Sequence, residues 1–215
     1  MSKVRVKICG IRTLEDARAA LELGADVIGF NFWTSSPRFI EPFVAQQIIA
    51  NLPPLISCVG VFVNERPETL LEVTARARLD GVQLHGDESP EYCHALSPLR
   101  IIKAIRVSDD FDPGIIDRFR VSAFLLDTHV KGSYGGTGRS FDWAIAAEAA
   151  RRAPVILAGG LTVDNVAEAI SAVRPIGVDV CSGVEAEPGR KDPDKMALFM
   201  QEVARVDSFR GPRIG

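Results

Sequence analysis

Hydrophobic and polar positions follow one another in a regular order along the chain. Short, nearly continuous apolar runs are each followed by a longer segment with helical periodicity, and this unit occurs eight times. The apolar runs predict strands at residues 4–9, 27–32, 57–63, 81–85, 101–106, 123–127, 155–158 and 177–181. The periodic segments predict helices at residues 13–23, 42–51, 67–78, 90–96, 113–119, 141–151, 163–172 and 193–206. Apolar strands that alternate with helices are typical of a parallel sheet covered by helices.

This count of units predicts the fold. Eight strand–helix units in about 200 residues match a small closed barrel, so we expect an α/β fold, a single (β/α)8 TIM barrel. The barrel is expected to form one domain over residues 1–206, with a short polar tail over residues 207–215. An open doubly wound sheet is the alternative. Thr162 and Asp192 precede the last two helices and are candidate N-caps.

Strand alternation predicts which polar side chains enter the barrel, because successive side chains of a strand face opposite sides. One polar layer is expected to consist of Lys7, Gln83, Lys103 and Asp179. A second layer, closer to the carboxyl ends of the strands, is expected to consist of Cys9, His85, Asp127 and Cys181. Buried charges need partners, so the first layer should contain ion pairs. The second layer is where a substrate would be within reach, because barrels present their chemistry at the carboxyl ends of strands.

Composition excludes several classes of protein. The chain of 215 residues has 47% hydrophobic and 25% charged residues, which is typical of a globular domain. A net charge of -3 offers no electrostatic basis for binding nucleic acid. No apolar run approaches the roughly 20 residues of a membrane helix, and the start of the chain lacks a signal-peptide pattern. The four cysteines are scattered without a CxxC pair, so we expect no zinc site, reduced thiols and a cytoplasmic location.

Glycine-rich loops follow the last three strands, which are the sixth, seventh and eighth. The loop after Asp127 contains four glycines between residues 132 and 138, and it could close over a bound substrate. The segments LAGGLT (157–162) and CSGVE (181–185) follow the seventh and eighth strands. Glycine lets backbone N–H groups approach a phosphate closely, and barrels bind phosphate after these two strands. The alternative is that both segments are merely tight turns.

Several motifs together resemble one family. These are KICG on the first strand, SPR after the second, GVQLHGDE on the fourth, LLDTHVKGSYGGTG on the sixth, ILAGGLTVDNV on the seventh and VDVCSGVE on the eighth. In this order they resemble the N-(5′-phosphoribosyl)anthranilate isomerase family of tryptophan biosynthesis, from Val6 to the region of Phe199. No catalytic motif departs from the family pattern. Cys181 stands where another small residue, often serine, is expected.

The resemblance implies an Amadori rearrangement of an aminoaldose to an aminoketose, with no cofactor and no metal. It implies Cys9 as the general base that takes the C2 proton and Asp127 as the general acid that protonates the ring oxygen. A free thiol has a pKa of about 8.5 and a free carboxyl one of about 3.9, so each starts in the wrong protonation state. We hypothesise that Lys7 favours the Cys9 thiolate, and that desolvation or substrate charge keeps Asp127 protonated.

Further site residues follow from the same resemblance. Arg38 is the candidate clamp for the anthranilate carboxylate, because a guanidinium pairs with a carboxylate through two hydrogen bonds. His85 either contacts the substrate or only completes the rim, and His129 is expected to be a loop residue. The backbone N–H groups expected to bind the phosphate are those of Gly159, Gly160, Ser182 and Gly183.

Alternatives remain at the level of single residues and of the whole chain. Taken alone, Cys9 is a buried structural cysteine, Asp127 a turn former and Arg38 a solvated loop residue. The related histidine-pathway isomerase uses paired aspartates, and Cys9 at the end of the first strand argues against it. A silent barrel that only binds a phosphorylated ligand is the other alternative. The expected partner is a small phosphoribosyl substrate, with no nucleic acid and no membrane, and the chain is expected to be a monomer, with a homodimer as the alternative.

Overall fold

The predicted closed barrel is present. The computed structural model describes residues 3–107, 111–127 and 143–209. Its strands are β1 (Arg5–Cys9), β2 (Val27–Asn31), β3 (Ser57–Phe62), β4 (Gly81–Leu84), β5 (Ile101–Arg106), β6 (Ala123–Asp127), β7 (Val155–Ala158) and β8 (Gly177–Val180). They form a closed barrel in sequence order, and all neighbouring strands are parallel, including β1 with β8. The prediction of a TIM barrel is therefore confirmed.

Helices cover the outside of the barrel. They are α1 (Leu14–Glu22), α2 (Pro42–Ile49), α3 (Pro67–Ala77), α4 (Pro90–Ala95), α5 (Trp143–Arg152), α6 (Val166–Val173) and α7 (Pro193–Phe209). The helix expected at residues 113–119 is instead a 3-10 helix, Pro113–Arg118. Proline starts several of these segments, because its missing N–H has no partner to lose in the first turn. In the described ranges, no helix combines the length and the apolar character needed to cross a membrane.

The two predicted helix caps have different outcomes. Asp192 caps α7, since its Oδ1 accepts the backbone N–H groups of Asp194 at 3.0 Å and Lys195 at 3.1 Å. Thr162 does not cap the helix that follows it, because α6 begins only at Val166 and the residue at its N-cap is Asn165. Asn165 Oδ1 instead accepts a hydrogen bond from the backbone N–H of Thr162 at 2.8 Å, which stabilises the loop before α6.

Two apolar layers lie on either side of the strands. The large outer layer fills the space between strands and helices and includes Ile8, Phe30 and Leu126, all fully buried. A small inner cluster of Ala104, Leu125 and Ala158 fills the barrel itself. Burial of these side chains is the main stabilising contribution to the fold, at roughly 25 cal/mol per Å² of apolar surface removed from water.

The polar interior differs from the prediction at Lys103. Its ammonium does not enter the barrel but lies on the outer face of the strands, with the neighbouring Leu84. There Nζ donates to Glu88 Oε2 at 2.7 Å and to the carbonyl of Gly86 at 2.7 Å. Alternation places Lys103 on the same face as Ile101, which packs against helices. The buried pair that Lys103 forms with Glu88 is therefore part of the barrel wall and not of its interior.

A short hairpin that was not predicted follows β8. After a 3-10 helix, Ser182–Val184, the strands β9 (Glu185–Glu187) and β10 (Arg190–Lys191) pair in antiparallel fashion. The side chains of Glu185 and Lys191 point inward and are almost completely buried, with 4% and 0% exposure. The hairpin thus brings two charged groups to the rim at which β1 and β8 end.

Candidate active site

Cys9 is the last residue of β1 and is buried, with 7% exposure. Its strand neighbour is Gly29 on β2, which has no side chain to fill the interior at this height. A Cβ atom at Gly29 would lie 2.9 Å from Cys9 Sγ and 3.0 Å from Lys7 Nζ. The thiol and the ammonium therefore share the space that this glycine leaves open.

Lys7 forms an ion pair with Asp179 inside the barrel. Lys7 Nζ donates to Asp179 Oδ1 at 3.0 Å, and both side chains are buried. Burial alone would lower the pKa of Lys7, but the Asp179 carboxylate and Cys9 raise it above its ordinary value, so Lys7 stays charged. Burial raises the pKa of Asp179 to about 6, although Lys7 opposes this change. The predicted inner polar layer is thus present for Lys7, Asp179 and the buried Gln83.

The surroundings of Cys9 lower the pKa of its thiol. A side-chain hydrogen bond with Cys181 is the largest cause that lowers its pKa; burial opposes this, and the ammonium groups of Lys7 and Lys191 add to the lowering. The same hydrogen bond, followed by burial, raises the pKa of Cys181. The nearby ammonium groups therefore favour a negative charge at this pair of thiols.

Asp127 ends β6 and contacts His85, just beyond β4. His85 Nε2 lies 3.2 Å from Asp127 Oδ2, and Gln83 Nε2 lies 2.8 Å from His85 Nδ1. With the Gln83 amide as donor, Nδ1 accepts a hydrogen bond and Nε2 carries the hydrogen that points at Asp127. Cys9 shares a strand face with Lys7, and Asp127 shares one with Leu125 of the inner cluster, so the thiol and the His85–Asp127 pair face the same interior.

Arg38 lies in the loop after β2 and is held by Glu185. Arg38 Nε donates to Glu185 Oε1 at 2.8 Å, and Arg38 Nη2 donates to Glu185 Oε2 at 2.6 Å. Lys191 Nζ donates to the same Oε1 at 3.0 Å. Burial would raise the pKa of Glu185, but Arg38 and Lys191 lower it overall, so this carboxylate is ionised. One edge of the guanidinium is thus occupied, and the side chain retains 22% exposure at the rim.

The two glycine loops that were predicted to bind phosphate lie against each other. Gly159 and Gly160 follow β7 with positive φ angles of 87° and 69°, a conformation that favours glycine. Ser182 and Gly183 form the start of the 3-10 helix after β8. A Cβ at Gly183 would lie only 1.9 Å from the carbonyl oxygen of Leu161. The absence of a side chain there is what allows the loops to pack together.

Some predicted features lie outside the described residues, namely His129 and the glycine loop between residues 132 and 138. Conversely, Glu185 and Lys191 are site residues that the sequence pattern does not predict. In the segment VEAEPGRKDP these residues resemble a solvated surface hairpin, and only the pairing of β9 with β10 turns both side chains inward. A glutamate directly after a strand-end glycine loop was the available signal.

Comparisons with known proteins agree with this architecture. A family model described as N-(5'phosphoribosyl)anthranilate (PRA) isomerase matches residues 6–202. A relative from Geobacter metallireducens, named N-(5'-phosphoribosyl)anthranilate isomerase, is 54% identical over 200 residues, 93% of this chain and 98% of the relative. The crystal structure of phosphoribosyl anthranilate isomerase from Thermotoga maritima is 44% identical, with a TM-score of 0.84, covering 94% of this chain and 99% of that one.

A further solved structure carries a ligand. It is a phosphoribosyl anthranilate isomerase in complex with reduced 1-(o-carboxyphenylamino)-1-deoxyribulose 5-phosphate. It is 41% identical to this chain, has a TM-score of 0.81, and covers 94% of this chain and 99% of its own.

Proposed function

This chain belongs to the N-(5'-phosphoribosyl)anthranilate isomerase family, and from that premise we propose that Cys9 is the general base and Asp127 the general acid of its reaction. The enzyme converts N-(5-phosphoribosyl)anthranilate, an aminoaldose, into 1-(2-carboxyphenylamino)-1-deoxyribulose 5-phosphate, an aminoketose, in tryptophan biosynthesis. Family membership supports this activity over that of the histidine-pathway isomerase and over a silent barrel that only binds a phosphorylated ligand.

The state of the Cys9 thiol carries the proposal. A base must be deprotonated before substrate arrives, and the hydrogen bond with Cys181, with Lys7 and Lys191 in addition, lowers the pKa of Cys9. A thiolate in this position can take the C2 proton of the ring-opened Schiff base and so generate the enolamine, which tautomerises to the ketone. The ammonium of Lys7 remains beside it and compensates the charge while the proton is transferred.

Asp127 supplies the proton that opens the ribose ring. His85 Nε2, 3.2 Å from Asp127 Oδ2, orients the carboxyl group toward the interior. The substrate brings a phosphate and a carboxylate, and these negative charges favour the protonated form of a nearby acid. Protonation of the ring oxygen then breaks its bond to C1, and the nitrogen lone pair forms the Schiff base.

The ends of the substrate are anchored by different groups. We assign the phosphate to the backbone N–H groups of the loops at Gly159–Gly160 and Ser182–Gly183, whose glycines permit close approach. The anthranilate carboxylate is assigned to Arg38. Since Glu185 occupies the Nε side of that guanidinium, the carboxylate would bind at the remaining Nη1 and Nη2 hydrogens. The reacting carbons then lie between Cys9 and Asp127.

Consumption of phosphoribosylanthranilate, followed through the fluorescence of its anthranilate, tests these roles. Cys9→Ala and Asp127→Asn are each expected to lower kcat by about 10²- to 10⁴-fold, the range of general acid–base catalysis. Cys93→Ala is the matched control, because Cys93 is a buried thiol in α4 and should leave kcat unchanged. A normal rate from Cys9→Ala would remove the proposed base.

Assembly and location are proposed from general features. We take the enzyme to be a cytoplasmic monomer, and a homodimer is the alternative. Leu55, in the loop before β3, is 98% exposed in the single chain and is the kind of side chain that the contact of a homodimer would cover. Multi-angle light scattering across a range of concentrations distinguishes the two states, and a mass twice that of the chain would overturn the monomer.

A further inference from the structure

The imidazole of His85 projects from a backbone that is fixed on both sides. The N–H of His85 donates to the carbonyl of Phe62 at 2.8 Å, beside the end of β3. The next residue, Gly86, donates its N–H to Glu88 Oε2 at 3.0 Å and accepts at its carbonyl from Lys103 Nζ at 2.7 Å. Glu88 and Lys103 form a buried ion pair, with side-chain exposures of 1% and 5%. The backbone that carries the ring is therefore held by the barrel wall.

Both nitrogens of this ring face a polar side chain. Gln83 Nε2 lies 2.8 Å from His85 Nδ1, and Asp127 Oδ2 lies 3.2 Å from His85 Nε2. Gln83 and His85 are two positions apart, so their side chains leave the strand on the same face. An amide nitrogen donates and does not accept, so Nδ1 is the acceptor in its contact. A neutral ring then carries its single hydrogen on Nε2, where this hydrogen points at the Asp127 carboxyl group.

Gln83 is buried at a cost to stability. Its side chain lies in a residue that is 1% exposed, and among the described residues its Oε1 has no hydrogen-bond partner. A buried carbonyl oxygen without a donor destabilises a fold, and an apolar side chain of similar length would avoid this loss. The amide nitrogen, in contrast, lies at hydrogen-bond distance from the His85 ring. The group that justifies an amide at this position is therefore the donor that faces the ring.

We propose that Gln83 is a positioning residue for Asp127 that acts through His85: its amide keeps the ring as the Nε2–H tautomer, which hydrogen-bonds Asp127 Oδ2. The catalytic consequence rests on the proposed role of Asp127 as the general acid, whereas the tautomer does not. When Asp127 is protonated, its proton cannot lie on Oδ2, because that oxygen faces the N–H of the ring. The proton is therefore carried by Oδ1, and the fixed orientation of the carboxyl group determines where it is delivered.

The amide matters most when Asp127 is protonated. An ionised Asp127 selects the Nε2–H tautomer without help, because a carboxylate can only accept a hydrogen bond. A protonated Asp127 can also donate from Oδ2 to a bare Nε2, which would move the ring hydrogen to Nδ1. The Gln83 donor opposes that arrangement, since two N–H groups would then face each other across 2.8 Å. Gln83 thus keeps the acidic proton off the oxygen that faces His85.

Nitrogen-15 NMR of the substrate-free enzyme, labelled in its histidines, tests the tautomer. The chain has three histidines, so the ring signals are few, and His85→Asn assigns those of His85 by their loss. A ring nitrogen that carries a hydrogen resonates far from one that does not, so each nitrogen is read separately. At alkaline pH, where histidine side chains are neutral, we expect the hydrogen on Nε2 and none on Nδ1. A hydrogen on Nδ1 in wild type would overturn the proposal.

Two variants change the partner of Nδ1. Gln83→Glu keeps the length of the side chain but presents acceptors, so Nδ1 should gain a hydrogen. Gln83→Met removes the donor without adding a charge, and the Nδ1 signal should move to that of a nitrogen without a hydrogen bond, even if Gln83→Glu does not fold. Gln47→Glu and Gln47→Met make the same changes at an exposed position of α2 and should leave the His85 signals unchanged. An unchanged Nδ1 signal in Gln83→Met would mean that Gln83 does not set the tautomer, and the proposal would fail.

Steady-state kinetics measures the catalytic consequence. In Gln83→Met we expect kcat to fall about tenfold, which is less than the roughly 10²-fold or more expected from loss of the acid itself. KM should change by less than about twofold, because the groups assigned to the ends of the substrate lie elsewhere. In an Asp127→Asn background, Gln83→Met should lower kcat no further, since it acts only through that acid. An equal loss in both backgrounds would show that Gln83 acts by another route and would overturn the proposal.

The two measurements separate this inference from the proposed function. If the ring signals respond as expected but kcat of Gln83→Met stays at the wild-type value, Gln83 sets the tautomer without positioning the acid, and the inference fails. If Asp127→Asn itself has a near-normal kcat, the proposed function fails instead. The ring signals would still decide whether Gln83 determines the tautomer of His85, because they are read in the absence of substrate.

Discussion

The Glu185 carboxylate accepts two hydrogen bonds from one edge of the Arg38 guanidinium, at 2.8 Å from Nε and 2.6 Å from Nη2. The same carboxylate neutralises Lys191, so a single acid balances two cations from different parts of the chain. The paired geometry fixes the plane of the guanidinium as well as its position. Recognition of the anthranilate carboxylate would therefore depend on a residue that need not touch the substrate.

Removal of the negative charge of Glu185 should lower the stability of the protein and weaken substrate binding. Glu185→Gln keeps the size of the side chain but leaves the buried Lys191 without a counter-charge, and such losses destabilise proteins by about 3 kcal/mol or more. We also expect KM to rise more than kcat falls, because the orientation of Arg38 is lost while Cys9 and Asp127 remain. Urea unfolding and steady-state kinetics measure the two effects.

A surface pair in the same hairpin provides the control. Glu187 faces Arg190 at 3.7 Å, and both side chains are largely exposed. Glu187→Gln should change the free energy of unfolding by less than about 0.5 kcal/mol, as is usual for exposed substitutions. Equal losses in Glu185→Gln and Glu187→Gln would contradict the assigned role of the buried carboxylate.

Gly29 lies where the inside of the barrel has no free space for a methyl group, so a side chain there should destabilise the enzyme. In Gly29→Ala the new Cβ would lie 2.9 Å from Cys9 Sγ and 3.0 Å from the end of Lys7, so one or both must move. Overpacking of this kind costs about 1–3 kcal/mol. We expect a folded but less stable enzyme in which kcat drops and Cys9 alkylation changes its pH dependence. Wild-type kinetics in this variant would show that the thiol has more room than these distances imply.

Gly183 is predicted to hold the phosphate loops together. In Gly183→Ala the Cβ would collide with the carbonyl of Leu161, so the loops after β7 and β8 must separate. Inorganic phosphate should then inhibit at least about tenfold less well, equivalent to about 1.4 kcal/mol of binding free energy. Ser182→Ala retains the backbone N–H, so phosphate is expected to inhibit this variant almost as strongly as it inhibits the wild type. A strong loss in Ser182→Ala alone would instead assign the binding to the hydroxyl.

Cys58 predicts a specific dependence of stability on pH. Burial, with a smaller contribution from Asp80, raises the pKa of Cys58 from 9.0 to about 12. As pH rises above 9.0, the unfolded chain loses this proton while the folded protein keeps it, so the contribution of the buried thiol is complete below 9.0 and is lost toward pH 12. Wild type should therefore lose more stability between pH 7 and pH 10.5 than Cys58→Ala does.

Urea unfolding of both proteins at the two pH values checks this prediction. At pH 7, Cys58→Ala should be less stable by about 1 kcal/mol, because a small cavity replaces the sulfur. At pH 10.5 the difference in the free energy of unfolding between wild type and Cys58→Ala should be smaller than at pH 7. A constant difference would mean that the Cys58 pKa is the same in the folded and unfolded states.

Strand alternation carried much of the prediction of the site. The inward direction of Lys7, Gln83 and Asp179 follows from a period of two, and the register of a closed barrel then brings Lys7 and Asp179 together. Lys103 was assigned to the interior although it shares a face with Ile101, and the assignment was wrong. Its partner Glu88 lies in a loop, where alternation carries no information.

The remaining contacts depend on tertiary structure that local patterns do not encode. Glu185 and Lys191 become buried only because a hairpin folds back over the rim, and the sequence between them is as polar as any surface turn. The cap at Thr162 failed for a related reason: the side chain of Asn165 binds the loop backbone and delays the start of α6. Both cases depend on side-chain contacts in the segments after β7 and β8, which strand and helix periodicity does not encode.

Barrel closure has a consequence for the newly made chain. Lys7 and Asp179 are 172 positions apart, and Cys9 acquires its thiol neighbour only when the strand that follows α6 has docked against β1. A ribosome would therefore have made most of the polypeptide before Lys7 can find its counter-charge. The proposed base and its surroundings can then assemble only after the last strand of the barrel has left the ribosome.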